Sequence, residues 1–138
     1  MMEVLGMTIR RAAMAMTIAV LVAGSVAQAQ QTVSMPLLSK DLPDFAGNEV
    51  VISTVEYPAG VASPPHRHDA HTFVYVLEGS VVMQVAGGQP VTLGPGQTFY
   101  ENPTDVHATS KNASQTAKAK ILVFMIKDKG KPGSRPAQ

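Results

Sequence analysis

The sequence predicts an all-β domain, a sandwich or a barrel, on the basis of two observations. Beyond residue 47 the chain is a succession of short β-forming segments that begin about every ten residues, with Gly and Pro in the turns between them. In addition, no window of helical length beyond residue 29 repeats its apolar residues with the period of an amphipathic helix. The residues after position 47 are therefore assigned to strands.

Seven segments have the composition of strands. The first, 49–57, is rich in β-branched residues and ends at Pro58. In 80–86 alternate positions are apolar, which predicts one buried face. Gly87-Gly88 then forms a hairpin turn, because two glycines accept the positive φ of tight turns. In chain order the predicted strands are 49–57, 72–77, 80–86, 90–93, 97–101, a strand opening at His107, and 119–126.

The first 29 residues have the pattern of a signal peptide. Two arginines precede an uncharged apolar run over 12–23, and Ala27-Gln28-Ala29 has the small residues that signal peptidase accepts. We therefore expect cleavage before Gln30 and a secreted or periplasmic protein, exported by the general or the twin-arginine route. The run 12–27 is shorter than the roughly 20 residues of a spanning helix, so we expect no stable membrane span.

Charge and cysteine content exclude several functions. Removing residues 1–29 leaves 109 residues with nine basic and nine acidic side chains. A neutral chain without a basic run in its core segments is unsuited to nucleic acid binding, which needs clustered Lys and Arg. The chain has no cysteine, which excludes disulfides, thiol catalysis and iron–sulfur clusters. Any metal must therefore be held by histidine and oxygen ligands.

We expect the exported chain to have three parts. Residues 30–47 are an irregular N-terminal arm, 48–126 form the β domain, and 127–138 are a disordered tail. The tail contains two prolines and four basic residues with a single acidic one, which is typical of solvated chain.

The four histidines lie in two places. His66, His68 and His71 follow the Pro64-Pro65 turn, and His107 follows a second turn. On an extended segment positions i and i+2 project from the same face, so His66 and His68 can converge on one ion, with His107 as a ligand from another strand. Neutral imidazole binds Fe, Mn, Ni, Cu and Zn alike. The sequence therefore predicts one divalent transition metal without naming it.

The first histidine group lies in a motif that resembles the cupin family. It reads Gly60, five residues, His66-Arg67-His68, three residues, Thr72, six residues and Gly79. Cupins have Gly, His-x-His, Glu and Gly at the same spacing, with the Glu at the position of Thr72.

The second histidine position lies in a motif similar to the second cupin motif. It reads Gly96, five residues, Asn102, one residue, Thr104, two residues and His107. The family has Pro and Gly at the positions of Asn102 and Thr104, and an Asn that Asn112 replaces one residue late. The resemblance covers 48–126 and implies a double-stranded β-helix, the cupin jelly-roll barrel, with a metal inside near one end.

The family's metal-binding Glu is replaced by Thr72, a weak neutral ligand, and two geometries follow. A local bulge would turn His71 inward and give a four-histidine site. Otherwise Thr72 points inward, and His66, His68 and His107 leave open positions for water or substrate. Strand alternation favours the second geometry, because His71 then lies on the opposite face.

Few other residues near the motifs suit catalysis. Tyr100 and an unliganded His71 are the leading candidates, because a phenol or imidazole near an open metal position can act as an acid or a hydrogen-bond donor. Tyr75 and Glu101 are the other groups that could act as an acid or a base there. The three nearby carboxylates, Asp69, Glu101 and Asp105, are interpreted as turn and rim residues.

The resemblance leaves two function classes open. The favoured one is a metal-dependent enzyme, either a dioxygenase-like oxidoreductase or a lyase or isomerase with the metal as Lewis acid. Its substrate would be a small, anionic molecule, which a histidine-only site attracts. The alternative is a non-catalytic barrel that binds a metal or a small ligand. The resemblance also implies a homodimer formed through sheet edges.

Overall fold

A computed structural model describes residues 30–138, so the predicted signal peptide lies outside the described residues. Within this range the chain is all-β, as predicted, and has no helix that is long and apolar enough to cross a membrane. The strands are β1 (Val33–Asp41), β2 (Asn48–Tyr57), β3 (Ala62–Ser63), β4 (His66–Arg67), β5 (Ala70–Glu78), β6 (Val81–Val85), β7 (Val91–Leu93), β8 (Thr98–Glu101), β9 (His107–Asn112), β10 (Ala119–Asp128) and β11 (Arg135–Pro136).

The strands form two antiparallel sheets. The first has the order β1-β2-β10-β5-β8, and the second has the order β11-β4-β9-β6-β7, with β3 also paired to β9. The sheets share one core, in which Val76 and Ile121 of the first sheet pack with Val81 and Met83 of the second. This arrangement confirms the predicted jelly-roll barrel.

Along β5 and β10 the buried side chains alternate with more exposed ones. In β5 the residues Ala70, Thr72, Val74 and Val76 are buried, and the residues between them are exposed. The same alternation runs through β10. Even-numbered side chains of β5 therefore point into the barrel and odd-numbered ones point out of it, which decides where each candidate site residue lies.

The N-terminal arm is more regular than expected. Val33–Asp41 is a strand whose backbone pairs with β2, with a register shift between Pro36 and Leu38. Every side chain of this strand is exposed. Pro36 lies in the middle of the segment, and an internal proline lowers the expectation of a strand because it cannot donate a hydrogen bond to a neighbouring strand.

The C-terminal tail is also ordered where disorder was expected. Lys127 is buried, and its Nζ donates to Glu49 Oε1 at 2.5 Å and to the Lys131 carbonyl at 2.6 Å. Arg135–Pro136 then pairs with β4. The tail's composition is that of solvated chain, but one of its charges has a specific buried partner that composition does not reveal.

Acid is expected to weaken the attachment of the tail. Hydrogen bonds from Lys127, Gly130 and Ser39 lower the pKa of Glu49 from 4.5 to about 2. A lowered carboxyl pKa gives stability that is complete above the unfolded pKa and is lost as the pH falls through the folded one. The measurement is denaturant unfolding at pH values from about 2 to 7. Stability should fall toward the acid end in the parent and less steeply in Glu49→Gln; equal slopes would contradict the prediction.

Candidate metal centre

Three histidines meet at one end of the barrel. His66 on β4 lies directly opposite His107 on β9, and His68 follows two residues after His66. The Nε2 atoms of His66 and His68 are 3.2 Å apart, and one ring nitrogen from each of the three histidines lies within 4.8 Å of the others. The structure therefore brings together the three histidines that the sequence predicted as metal ligands.

Backbone carbonyls orient two of these rings. His66 Nδ1 lies 2.8 Å from the Pro64 carbonyl, and His68 Nδ1 lies 2.7 Å from the Gly133 carbonyl. A carbonyl only accepts hydrogen bonds, so each Nδ1 carries the proton and each Nε2 of a neutral ring presents a lone pair. Two lone pairs then face each other across 3.2 Å, an arrangement that a shared cation satisfies.

Glu101 and His107 add buried polar atoms without partners. Glu101 Oε1 and both ring nitrogens of His107 have no hydrogen-bond partner among residues 30–138. Oε1 lies 3.2 Å from His107 Nδ1 and 3.8 Å from His68 Nε2. Buried polar groups are normally paired, so these orphaned atoms indicate that a bound group completes the site.

Burial keeps the histidines in the form that binds metals. It lowers the pKa of His107 to about 3 and also lowers the pKa of His68, while it raises the pKa of Glu101 to about 7. At neutral pH the rings of His68 and His107 are therefore uncharged, with lone pairs available for a metal. The donor set of neutral imidazoles fits a divalent transition metal such as Fe, Mn, Ni, Cu or Zn.

The histidines lie in the wall of a cavity of about 560 Å³. Its apolar walls come from β2, β5 and β10, and the hydroxyl of Tyr57 shares a hydrogen bond of 2.6 Å with Ser110 inside it. The residues that line the cavity include Ser53, Val55, Tyr57, His66, His68, Val74, Glu101, His107, Ser110, Ile121, Val123, Met125 and Arg135. The cavity is large enough for a small organic molecule.

Comparison with known proteins decides the family. Residues 53–125, more than half of the chain, match the family described as Cupin domain. The protein is a cupin. This confirms the resemblance carried by the two histidine motifs.

One relative is similar to this cupin in both sequence and structure. It is 30% identical over 104 residues to the dimethylsulfoniopropionate lyase DddQ of Ruegeria pomeroyi, a match that covers 66% of this chain and 52% of the lyase. The crystal structure of that lyase superposes with a TM-score of 0.62 at 21% identity, covering 78% of this chain and 52% of the lyase. This cupin therefore spans about half the length of the lyase.

Other solved structures share the fold at low identity. A cupin superfamily protein from Desulfitobacterium hafniense has a TM-score of 0.57 at 22% identity and covers 74% of this chain and 83% of its own. A recombinant oxalate oxidase in complex with glycolate has a TM-score of 0.60 at 20% identity and covers 83% and 59%. These likenesses establish the double-stranded β-helix.

The structure separates the catalytic candidates His71 and Tyr100 from this cupin's cavity. Thr72 is fully buried and points into the barrel, so His71 lies on the outer face, as the second of the two geometries requires. Tyr100 pairs with Phe73 across β5 and β8 and therefore shares that outer face. His71 Nδ1 and Tyr100 Oη are hydrogen-bonded to each other at 2.7 Å, away from the three-histidine cluster.

The residues that sequence analysis did not assign to the cavity include Glu101 and Tyr57. Glu101 was interpreted as a rim residue, yet it is 2% exposed and lies against the histidines. The alternation of β8 carried the signal, because an outward Tyr100 implies an inward Glu101. Tyr57 is the last residue of β2, and no motif includes it. Asp69 and Asp105, by contrast, lie outside the cavity lining.

Proposed function

We propose that this cupin is a secreted or periplasmic metal-dependent enzyme that acts on a small carboxylate, with a lyase reaction favoured. The observation that carries the proposal is the convergence of three neutral histidines, with lone pairs toward one point, in the wall of a cavity. The predicted signal peptide with its Ala27-Gln28-Ala29 cleavage motif supports the exported location.

The chemistry of the relatives supports the substrate class. Dimethylsulfoniopropionate, oxalate and glycolate, which their names give, are all small carboxylates. A divalent metal bound at this site supplies a Lewis acid that polarises such a carboxylate. In such a lyase reaction a base takes the proton from the carbon beside the carboxylate, the electron pair of that bond forms the carbon–carbon double bond, and the group on the next carbon leaves with its bonding electrons.

The chain's own residues supply the rest of the site. The apolar side chains of Val55, Val74 and Ile121 limit water around a bound molecule. Burial raises the pKa of the Tyr57 phenol, so at neutral pH it keeps its proton and can donate a hydrogen bond to substrate. Arg135 is the one Lys or Arg among the described residues that line the cavity, and its guanidinium pairs with the Asp69 carboxylate.

An oxidoreductase is the second candidate. The likeness to an oxalate oxidase in complex with glycolate favours it, because that protein shares the barrel. Open positions on a redox metal held by three histidines suit reaction with oxygen.

Turnover assays with defined metals test the proposal. The exported chain, loaded separately with Fe, Mn, Ni, Cu or Zn, is incubated with dimethylsulfoniopropionate, oxalate and glycolate while products are followed by NMR and oxygen by electrode. Turnover without oxygen consumption supports the lyase, and turnover with oxygen consumption supports the oxidoreductase. Metal-dependent binding of these carboxylates without turnover would contradict the enzyme and favour the binding barrel. His107→Ala is the control that should abolish turnover.

We also propose that the cupin forms a homodimer through β1. This nine-residue strand is the edge of the first sheet, and Val33, Met35 and Leu37 are all more than half exposed. A long apolar edge with unpaired backbone groups favours pairing with a second edge. Sedimentation should show a dimer in the parent, a monomer in Met35→Lys, and a dimer in Tyr75→Lys, whose change lies on β5. A monomeric parent would contradict the proposal.

A further inference from the structure

We propose that Glu101 supplies the carboxylate ligand of the metal centre, in place of the Glu that cupins have at the position of Thr72. The centre would then be formed by three histidines and one carboxylate that comes from the neighbouring strand. This inference rests on the proposed metal site, and it adds a ligand at a position for which neither histidine motif specifies a residue.

The strand register places Glu101 where the missing carboxylate is needed. Thr72 on β5 and Glu101 on β8 are directly opposite each other in the first sheet. Opposed residues of antiparallel strands point to the same face, with Cβ atoms about 5 Å apart. Both side chains are buried inside the barrel. Thr72 has a short side chain, so the space beside it can hold the longer side chain of Glu101. The Glu101 carboxylate therefore reaches the histidines from β8, the strand next to β5.

The distances fit two ligands of one ion. A transition metal holds imidazole nitrogen and carboxylate oxygen at about 2.0–2.2 Å, so neighbouring ligand atoms lie roughly 3–3.5 Å apart. Glu101 Oε1 lies 3.2 Å from His107 Nδ1, and the Nε2 atoms of His66 and His68 are also 3.2 Å apart. Neither Oε1 nor the His107 ring has a hydrogen-bond partner among the described residues. A shared ion provides a partner for Oε1 and for one nitrogen of that ring.

A cation would also stabilise the ionised form of Glu101. In residues 30–138 its ion-pair neighbours are His68 and His107, and no Lys or Arg lies within 4 Å of it. Asp105, the other charged group that influences it, is negative. An ionised carboxylate buried without a counter-charge is very unfavourable. A divalent ion between Glu101 and three neutral imidazoles satisfies that charge and leaves the centre with a net charge of one.

Cobalt binding to matched variants tests the assignment. The exported chain and each variant are titrated with Co²⁺ against a competing chelator, and the visible ligand-field spectrum of the bound ion is recorded. Circular dichroism of each metal-free protein checks the fold. The variants are Glu101→Gln, which keeps the shape without the charge, Asp105→Asn, which removes a nearby carboxylate outside the cavity lining, and the exchange Thr72→Glu with Glu101→Thr.

The expected results distinguish direct ligation of the ion by Glu101 from an indirect effect of Glu101 on the site. Glu101→Gln should weaken Co²⁺ binding by more than a hundredfold, beyond the tenfold to hundredfold that the loss of an outer partner costs, and should shift the spectrum. Asp105→Asn should match the parent. The exchange variant should recover most of the lost affinity, because the carboxylate returns from the family's position.

Three outcomes would overturn the assignment. A Glu101→Gln protein with the parent's affinity, or one with weaker binding but the parent's spectrum, would show that Glu101 does not contact the ion, while the three-histidine site would stand. A parent that binds no Co²⁺ would overturn both this assignment and the proposed function. A parent that binds Co²⁺ through Glu101 but turns over no carboxylate would leave the ligand in place and overturn only the enzyme.

Discussion

Replacement of His107 by alanine should abolish stoichiometric metal binding. His107 is 3% exposed, and it is the proposed ligand from β9, opposite the proposed ligand His66 on β4. A structural zinc site contributes about 10–16 kcal/mol in all, so one of four ligands is worth roughly 3–4 kcal/mol. At about 1.4 kcal/mol for each tenfold change, metal affinity should fall by a hundredfold to a thousandfold.

The readouts are metal content and thermal stability. Because a ligand that binds only the folded state stabilises it, added metal should raise the melting temperature of the parent and not that of His107→Ala. The matched control is His71→Ala, which removes an imidazole from the outer face, where it contacts Tyr100. His71→Ala should keep the metal. Equal metal affinity in His107→Ala and the parent would contradict the assignment of the site.

Removal of residues 132–138 should weaken metal binding about tenfold to a hundredfold. The Gly133 carbonyl accepts the Nδ1 proton of His68 at 2.7 Å, and Arg135–Pro136 pairs with β4, the strand that carries His66. Loss of an outer partner of a metal-binding histidine typically costs that factor in affinity, because the ring is no longer held in one orientation. The truncation spares Lys127 and Lys131, so the end of β10 keeps its contacts with Glu49.

The effect of truncation can be separated from the loss of a surface ion pair. Arg135→Ala removes the guanidinium that contacts Asp69 but keeps the Gly133 carbonyl. Because both side chains of that pair are about half exposed, the pair itself is worth about 1 kcal/mol or less, and metal affinity should change little. Chelator competition on the truncated protein, Arg135→Ala and the parent measures the difference. A truncated protein with the parent's affinity would show that the tail does not orient His68.

The fold and the three histidines were predictable because their signals are local. The β-forming segments, the Gly and Pro turns and the two histidine spacings all lie within short stretches of sequence. Strand alternation also favoured an outward His71 over the four-histidine site, and in the structure Thr72 is buried and His71 is exposed. These features depend on the two-residue period of a strand and on short sequence spacings. They do not depend on contacts between distant segments.

The position of Glu101 and the order of the C-terminal tail were not predicted, because both depend on pairing between distant segments. Glu101 lies at the site because β8 pairs with β5 in a register that sets it opposite Thr72, and no motif encodes that register. The tail is ordered because Lys127 pairs with Glu49, 78 residues earlier, and because Gly133 contacts His68, 65 residues earlier. A basic, proline-containing sequence does not show these contacts until the sheets are assembled.

Elemental analysis of the exported chain, purified from its own compartment, tests the central claim most directly. Three neutral histidines around one point, with a buried carboxylate beside them, predict about one equivalent of Fe, Mn, Ni, Cu or Zn per chain. A chain that holds none of these metals, and takes up none when each is added to the metal-free protein, would contradict the account.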